Sequence, residues 1–229
     1  MSKRVAIVQS NYIPWKGYFD LIASVDEFIL YDDVQFTKND WRNRNTIKTP
    51  SGLQWLSIPV GQSIDRRIRD VVVKDGRWRC NHWRALQMNC RRASSFAEVA
   101  PMVENLYLGH SEMDLSSINR VFIEHICEFL GITTAITNSS DYALPTGRLE
   151  RLVALCEQAG ASAYISGPAA KNYLNEKMFL DRGIKVQWFD YHGYPSYPQL
   201  WGDFCHEVSV LDLLFNCGRA AARHMKFGR

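Results

Sequence analysis

The first apolar run of the chain is short and β-branched, Val5-Ala6-Ile7-Val8, and predicts a buried strand. Gln9 to Pro14 breaks it with turn formers, and Pro14 suits the first turn of a helix, where its missing N–H is no loss. Phe19, Leu21, Ile22 and Val25 then mark a short apolar face. Phe28-Ile29-Leu30-Tyr31 predicts a second strand, ending at Asp32-Asp33. A strand–helix–strand unit of this length places its two strands parallel.

Further along, residues 38–49 are polar and basic around Trp41 and read as a loop or ribbon on the rim. Residues 55–60 predict a strand stopped by Gly61, and residues 71–73 another short one. From 78 to 106 the pattern turns helical. Leu115, Ile118, Phe122, Ile126, Phe129 and Leu130 recur at helical spacing between Asp114, a natural N-cap, and Gly131, a natural stop. Leu149, Leu152, Val153 and Cys156 repeat the pattern up to Gly160. A strand at 163–165, a helix over 169–181, a strand at 185–189 and a helical tail over 209–225 complete the series. The alternation predicts an α/β fold: a mostly parallel sheet flanked by helices, of nucleotide-binding topology, with a helical C-terminal part. Neither a repeat nor a linker interrupts it, so residues 1–229 read as one domain.

Composition narrows the function classes. The 229 residues are 46% hydrophobic and 22% charged, enough for a sizeable core. A net charge of +3 is too small for a nucleic-acid protein but leaves room for a local basic site. The apolar run at 5–8 is shorter than a signal-peptide core or a membrane span, so a cytoplasmic location without a membrane span is expected. None of the six cysteines forms a CxxC pair, which favours reduced thiols, and Cys127 and Cys156 lie on apolar helical faces.

Several residues carry candidate chemistry. Asp32 and Asp33 fall at the carboxyl end of a strand, where parallel sheets bind ligands. Such carboxylates hold Mg²⁺, accept protons or bind hydroxyls, although neighbours on a strand face opposite ways. Gln9 ends the adjacent strand and offers an amide. Lys38, Arg42 and Arg44, with Trp41 and Asn43, combine phosphate-matching forks with a stacking ring. His82, between Trp78 and Trp83, is a candidate general base. Ser166-Gly167 through Lys171 pass from a strand into a helix, and the small residues let backbone N–H groups approach an anion. The aromatic stretches at 191–194 and 197–199, Gln199 included, either cover a sugar ring or pack the last helix. Each feature also has a plainer reading, as a turn aspartate, a solvated basic loop or a packed histidine. No zinc-type Cys/His spacing occurs.

Taken in order, certain blocks carry a family likeness: Gln9, Pro14, Gly17 and Tyr18; Tyr31-Asp32-Asp33-Val34-Gln35-Phe36, Lys38, Trp41 and Asn43-Arg44; Trp78, His82 and Trp83; residues 166–170; Tyr173-Leu174; Gly183-Ile184; Tyr197-Pro198-Gln199; and residues 209–216. The set resembles the WbqC-like family. The resemblance implies a bacterial cytoplasmic protein from surface-polysaccharide or O-antigen gene sets, and it adds Tyr18, Gln35 and Tyr173 to the candidate binding residues. The first unit is also similar to the strand, HxGH, helix start of nucleotidyltransferase-like proteins. Here Trp15 and Tyr18 take both histidine positions, which removes the phosphate contacts and argues against adenylyl transfer.

The expectation is an enzyme that acts on a small-molecule nucleotide-linked sugar, transferring an acyl or aminoacyl group to a sugar amine. A nucleotide or acyl donor would serve as cosubstrate. Lys38 and Arg44 would hold phosphate; Asp32, Asp33 or His82 would take the proton; the Ser166-Gly167 turn would face phosphate or an oxyanion. Two other classes remain open: a non-catalytic sugar- or nucleotide-binding accessory protein, and an RNA-binding protein using Trp41, Arg42, Arg44, Trp83, Arg91 and Arg92.

Overall fold

A computed structural model describes residues 2–227. Its centre is a five-stranded sheet of β1 (Arg4–Val8), β2 (Glu27–Leu30), β5 (Ala135–Asn138), β6 (Ala163–Ser166) and β7 (Lys185–Trp188), in the order β5-β2-β1-β6-β7, with every pairing parallel. The period-two pattern of β1 sorts its side chains between two layers. Ala6, with Phe28, Leu30 and Ile165, faces one helical layer: α1 (Lys16–Ala23), α2 (Arg77–Cys90), α3 (Phe96–Leu108), α4 (Leu115–Leu130) and α7 (Val210–Cys217). Val5 and Ile7, with Ile29, Tyr31 and Tyr164, face the other: α5 (Arg148–Gln158) and α6 (Glu176–Leu180). Cys127 and Cys156 are buried in these two cores.

The strand order places a reversal between β1 and β6. From β1 the chain winds outward through β2 to β5; from β6 it winds the other way to β7. Connections of one hand then fall on opposite faces, and the carboxyl edge is the place where such sheets leave a crevice.

α4 forms between the signals read from the sequence. The Asp114 carboxylate accepts from Ser117 N at 2.8 Å, and Gly131 closes the helix at φ +73°. Elsewhere the local pattern is redirected. The polar segment at 38–49 yields β3 (Arg44–Thr49), which pairs with β4 (Gly52–Ser57) as a hairpin, so the strand expected at 55–60 lies earlier. Residues 71–73 keep the alternation, with Val71 and Val73 buried and Val72 exposed, yet make only one bridge, Val72 to Asp114. The helix expected over 169–181 is a 3₁₀ turn at Pro168–Asn172 followed by α6, restarted by Asn175, whose side chain accepts from Lys177 N. The helical tail likewise splits into α7 and a 3₁₀ segment, Gly218–His224. β5 had no sequence signal: one large apolar residue, Ile136, is too little to mark a strand, and pairing with β2 makes it one. Among the described residues no helix is long and apolar enough to cross a membrane.

Candidate functional site

Beyond the carboxyl ends of β1 and β2, the two aspartates diverge. Asp32 turns toward the α4 layer. Its carboxylate accepts from Ser10 N at 2.8 Å and from the Ser116 hydroxyl, and burial raises its pKa against the opposing pull of these bonds. Asp33 turns the other way. It accepts from Ser139 Oγ at 2.8 Å and pairs with Arg69 at 2.7 Å and Arg67 at 3.6 Å. The two carboxylates therefore engage different partners.

Asp33 lies in a polar cleft. A cavity of about 300 Å³ is lined by Asp33, Arg67, Arg69, Arg151, Ser140 and Tyr142. A smaller one, about 190 Å³, shares Asp33, Arg69 and Ser140 with it and reaches Ser116, Ser117 and Arg120 at the start of α4. The Arg151 guanidinium reaches the Asp33 carbonyl at 3.5 Å and the Pro145 carbonyl at 2.9 Å. Tyr173, half-exposed, carries the Arg148 guanidinium 4.1 Å from its ring centroid. Gln35 is exposed and bridges Arg67 through the backbone. Arg67, Arg69 and Arg151 had no signal in the sequence reading, because isolated arginines in loops look like solvated charge until the fold gathers them.

The turn at the β1–β6 reversal is filled by the chain itself. A Cβ on Gly17 would fall inside the Trp15 ring, so this glycine makes room for an indole. Trp15 in turn meets Tyr191 and Tyr194 at 5.6 and 5.4 Å between centroids. Tyr191 also lies against Gly167, 3.5 Å from where a Cβ would sit. Ser166 is buried beside the Tyr164 hydroxyl, and Lys171 is exposed over Trp188. Aromatic side chains thus fill the space in front of this turn. Gly17→Ala is expected to displace Trp15 and cost roughly 1–3 kcal/mol, read by thermal melting and near-ultraviolet dichroism.

His82 sits in a buried chain of polar groups. Tyr107 OH lies 2.5 Å from Tyr12 OH, Tyr12 OH lies 2.9 Å from His82 Nδ1, and the ring also bonds the Ser57 backbone. Burial pushes the imidazole down to about 4. A neutral ring accepting from Tyr12 and donating to Ser57 completes the chain and leaves neither nitrogen for a substrate. Gln199 is likewise internal, bonding Lys48, Tyr197, Cys205 and Asp212. The Tyr18 hydroxyl is buried and donates to the Gln9 carbonyl; Gln9 itself is half-buried at the end of β1.

The basic cluster before β3 is spread out. Lys38 is exposed and donates to Gln62, Asn43 is buried and donates to the Ile58 carbonyl, and Arg42 is drawn inward to the Asn11 side chain. Arg44 stacks 4.1 Å from the Trp55 ring centroid and donates to the Asn39 carbonyl. Trp83 is buried, which breaks up the surface expected for RNA. Trp41 is 43% exposed, 5.5 Å from Trp55, and lines a cavity of about 440 Å³. The loop that reaches it is strained: Ile13, β-branched and followed by proline, sits at φ +37°. Asn45 holds it by donating to the Tyr12 and Ile13 carbonyls.

Fold and site define a three-layer α/β protein with an all-parallel sheet, a strand-order reversal, and polar cavities at the carboxyl edge. The chain belongs to the WbqC-like protein family, whose model matches residues 9–224. It is also 52% identical, over 229 residues and 99% of both chains, to a protein of Mycobacterium tuberculosis (strain ATCC 25618 / H37Rv) called uncharacterized protein Rv1507c. No solved structure matches the chain.

Proposed function

We propose that the protein binds a nucleotide-linked sugar with its phosphates in the Asp33 cleft and transfers an acyl or aminoacyl group to the sugar amine. The observation that carries the binding part is the lining of the 300 Å³ cavity: three arginines to one carboxylate, at the edge where parallel sheets take ligands. Arginine forks match phosphate oxygens; Asp33 pairs with Arg69 at 2.7 Å and Arg67 at 3.6 Å, and Asp70 holds Arg67 from its other side, with Nε at 2.8 Å. The smaller cavity sets Asp32, Asp33 and Asp114 against Arg69 and Arg120, so the phosphates are assigned to the larger one. The transfer itself rests on the surface-polysaccharide setting that the resemblance to the family implies. In that reaction the amine nitrogen bonds the acyl carbon, the donor's ester or thioester bond breaks, and the amine proton leaves to a base.

A thermal-shift screen of UDP, UDP-linked sugars, ATP and acyl-CoA tests the cleft. A ligand at a hundred times its Kd stabilises by about 2.7 kcal/mol, which is roughly 5–10 °C for a chain of this size. Arg69→Ala should weaken the response at least tenfold in ligand concentration. Lys38→Ala, whose side chain lies on the exposed rim, should leave it intact. No response of the wild type to any nucleotide, or an equal response in Arg69→Ala, sinks the reading.

A further inference from the structure

The 440 Å³ cavity differs in chemistry from the Asp33 cleft. Its walls include Trp15 just before α1 and Trp41 just before β3, with Asn11, His206 and Glu207 supplying polar edges. Its volume lies within the roughly 300–1,000 Å³ of small-ligand sites, and an aromatic wall with few convergent polar groups is their usual lining.

Each wall is held from behind. Trp41 meets Trp55 at 5.5 Å, and Arg44 stacks on the far ring, so an exposed indole is fixed in place. The Arg42 guanidinium donates to the Asn11 side-chain oxygen, which turns the Asn11 amide N–H₂ away from Arg42; among the described residues that N–H₂ makes no hydrogen bond. The strap carrying Glu207 is pinned to β3: Thr46 Oγ1 donates to the Glu207 carbonyl at 2.7 Å, and Ser209 N to the Thr46 carbonyl at 2.9 Å.

Charge then selects the ligand. Glu207 is the one acidic side chain in the lining, and among the described residues its carboxylate makes no hydrogen bond or ion pair. His206 meets the Phe204 ring at 4.5 Å. Burial, and then the Lys16 charge, lower its pKa. The Lys16 ammonium is itself held by the Pro195 and His224 carbonyls, at 2.9 and 3.1 Å. A phosphate or an acidic sugar would meet an unpaired carboxylate here, whereas a cation beside a carboxylate and two indole rings is favoured.

We propose that this cavity is an amino-sugar subsite, in which the pyranose ring lies on Trp41 and its ammonium faces Glu207. Asn11 donates to a ring hydroxyl. The assignment goes beyond the reading given under Proposed function, since the two cavities share no lining residue, and it rests on that reading only for the reaction.

Ligand-observed NMR titrations of glucosamine, N-acetylglucosamine and glucose, at mildly acidic pH where the amine is protonated, test it without a nucleotide. The wild type should bind glucosamine at least tenfold more tightly than either neutral sugar. Glu207→Gln should abolish that preference and leave the neutral sugars unchanged. Trp41→Ala should weaken all three sugars about tenfold. Both side chains are exposed, so both variants should melt with the wild type. Equal binding of the three sugars by the wild type, a preference that survives Glu207→Gln, or no binding at all overturns the proposal. A protein that binds glucosamine but ignores UDP would instead lose the phosphate cleft and keep this subsite.

Discussion

Tyr12→Ala should destabilise the protein by about 3–5 kcal/mol, the range for removing a fully buried aromatic ring. The reason lies in what Tyr12 joins. Its ring packs edge-on against Trp78 and Phe122, 5.9 and 5.6 Å between centroids, and thus ties the loop after β1 to α2 and α4. Its hydroxyl links Tyr107 of α3 to His82 of α2. Tyr12 N also donates to the Trp41 carbonyl at 2.9 Å, so the loss loosens the wall of the large cavity as well. Tyr12→Phe separates the two contributions: it keeps the ring but strands His82 Nδ1 and the Tyr107 hydroxyl, at about 1–3 kcal/mol. Urea unfolding measures both. A Tyr12→Ala variant within 1 kcal/mol of the wild type would mean that the buried chain does not hold these helices together.

The second large effect is a pair of opposing pH dependences. His82 titrates at about 4 in the folded protein, against 6.5 unfolded. The unfolded chain therefore takes up the proton first, and stability falls as pH drops from about 6.5 toward 4, by about 3 kcal/mol in full. Asp212 behaves oppositely. Burial raises it to about 6, although Tyr197 and Gln199 donate to its carboxylate. The folded protein takes up this proton first, so stability rises as pH drops from about 6 toward 3.8, again by about 3 kcal/mol. In the wild type the two nearly cancel. Asp212→Asn removes the gain: its deficit against the wild type should grow by roughly 2 kcal/mol between neutral pH and about pH 4.5. His82→Asn removes the loss, so over the same interval it should gain 2–3 kcal/mol on the wild type, roughly. Denaturant unfolding at the two pH values reads these differences and subtracts the ordinary surface carboxylates. Parallel curves for all three proteins would show that neither group is perturbed.

The sites differ in how far they were legible. Asp33 was placed at the sheet edge from the run Phe28–Tyr31 and the rule for parallel strands, and it does lie in a cleft there. Its arginine partners were not legible, since Arg67, Arg69 and Arg151 come from two loop and helix segments more than seventy residues apart. His82 looked like a free base between two tryptophans; burial beside Tyr12, seventy residues away, is a long-range fact. Glu207 and Asn11 carried no motif, and they matter only because Thr46 and Arg42 fix them around one cavity.

By itself the sequence determined the local grammar: β1 and β2, the α4 boundaries at Asp114 and Gly131, the parallel pairing of the first unit and the family likeness. These follow from periodicity, caps and crossover length, which act over a few residues. The tertiary structure alone decided that β5 is a strand, that residues 71–73 are not, and which charged groups meet. An edge strand with one large apolar side chain exists only through its neighbour's hydrogen bonds, and a binding site is a set of contacts between segments that no local pattern brings together.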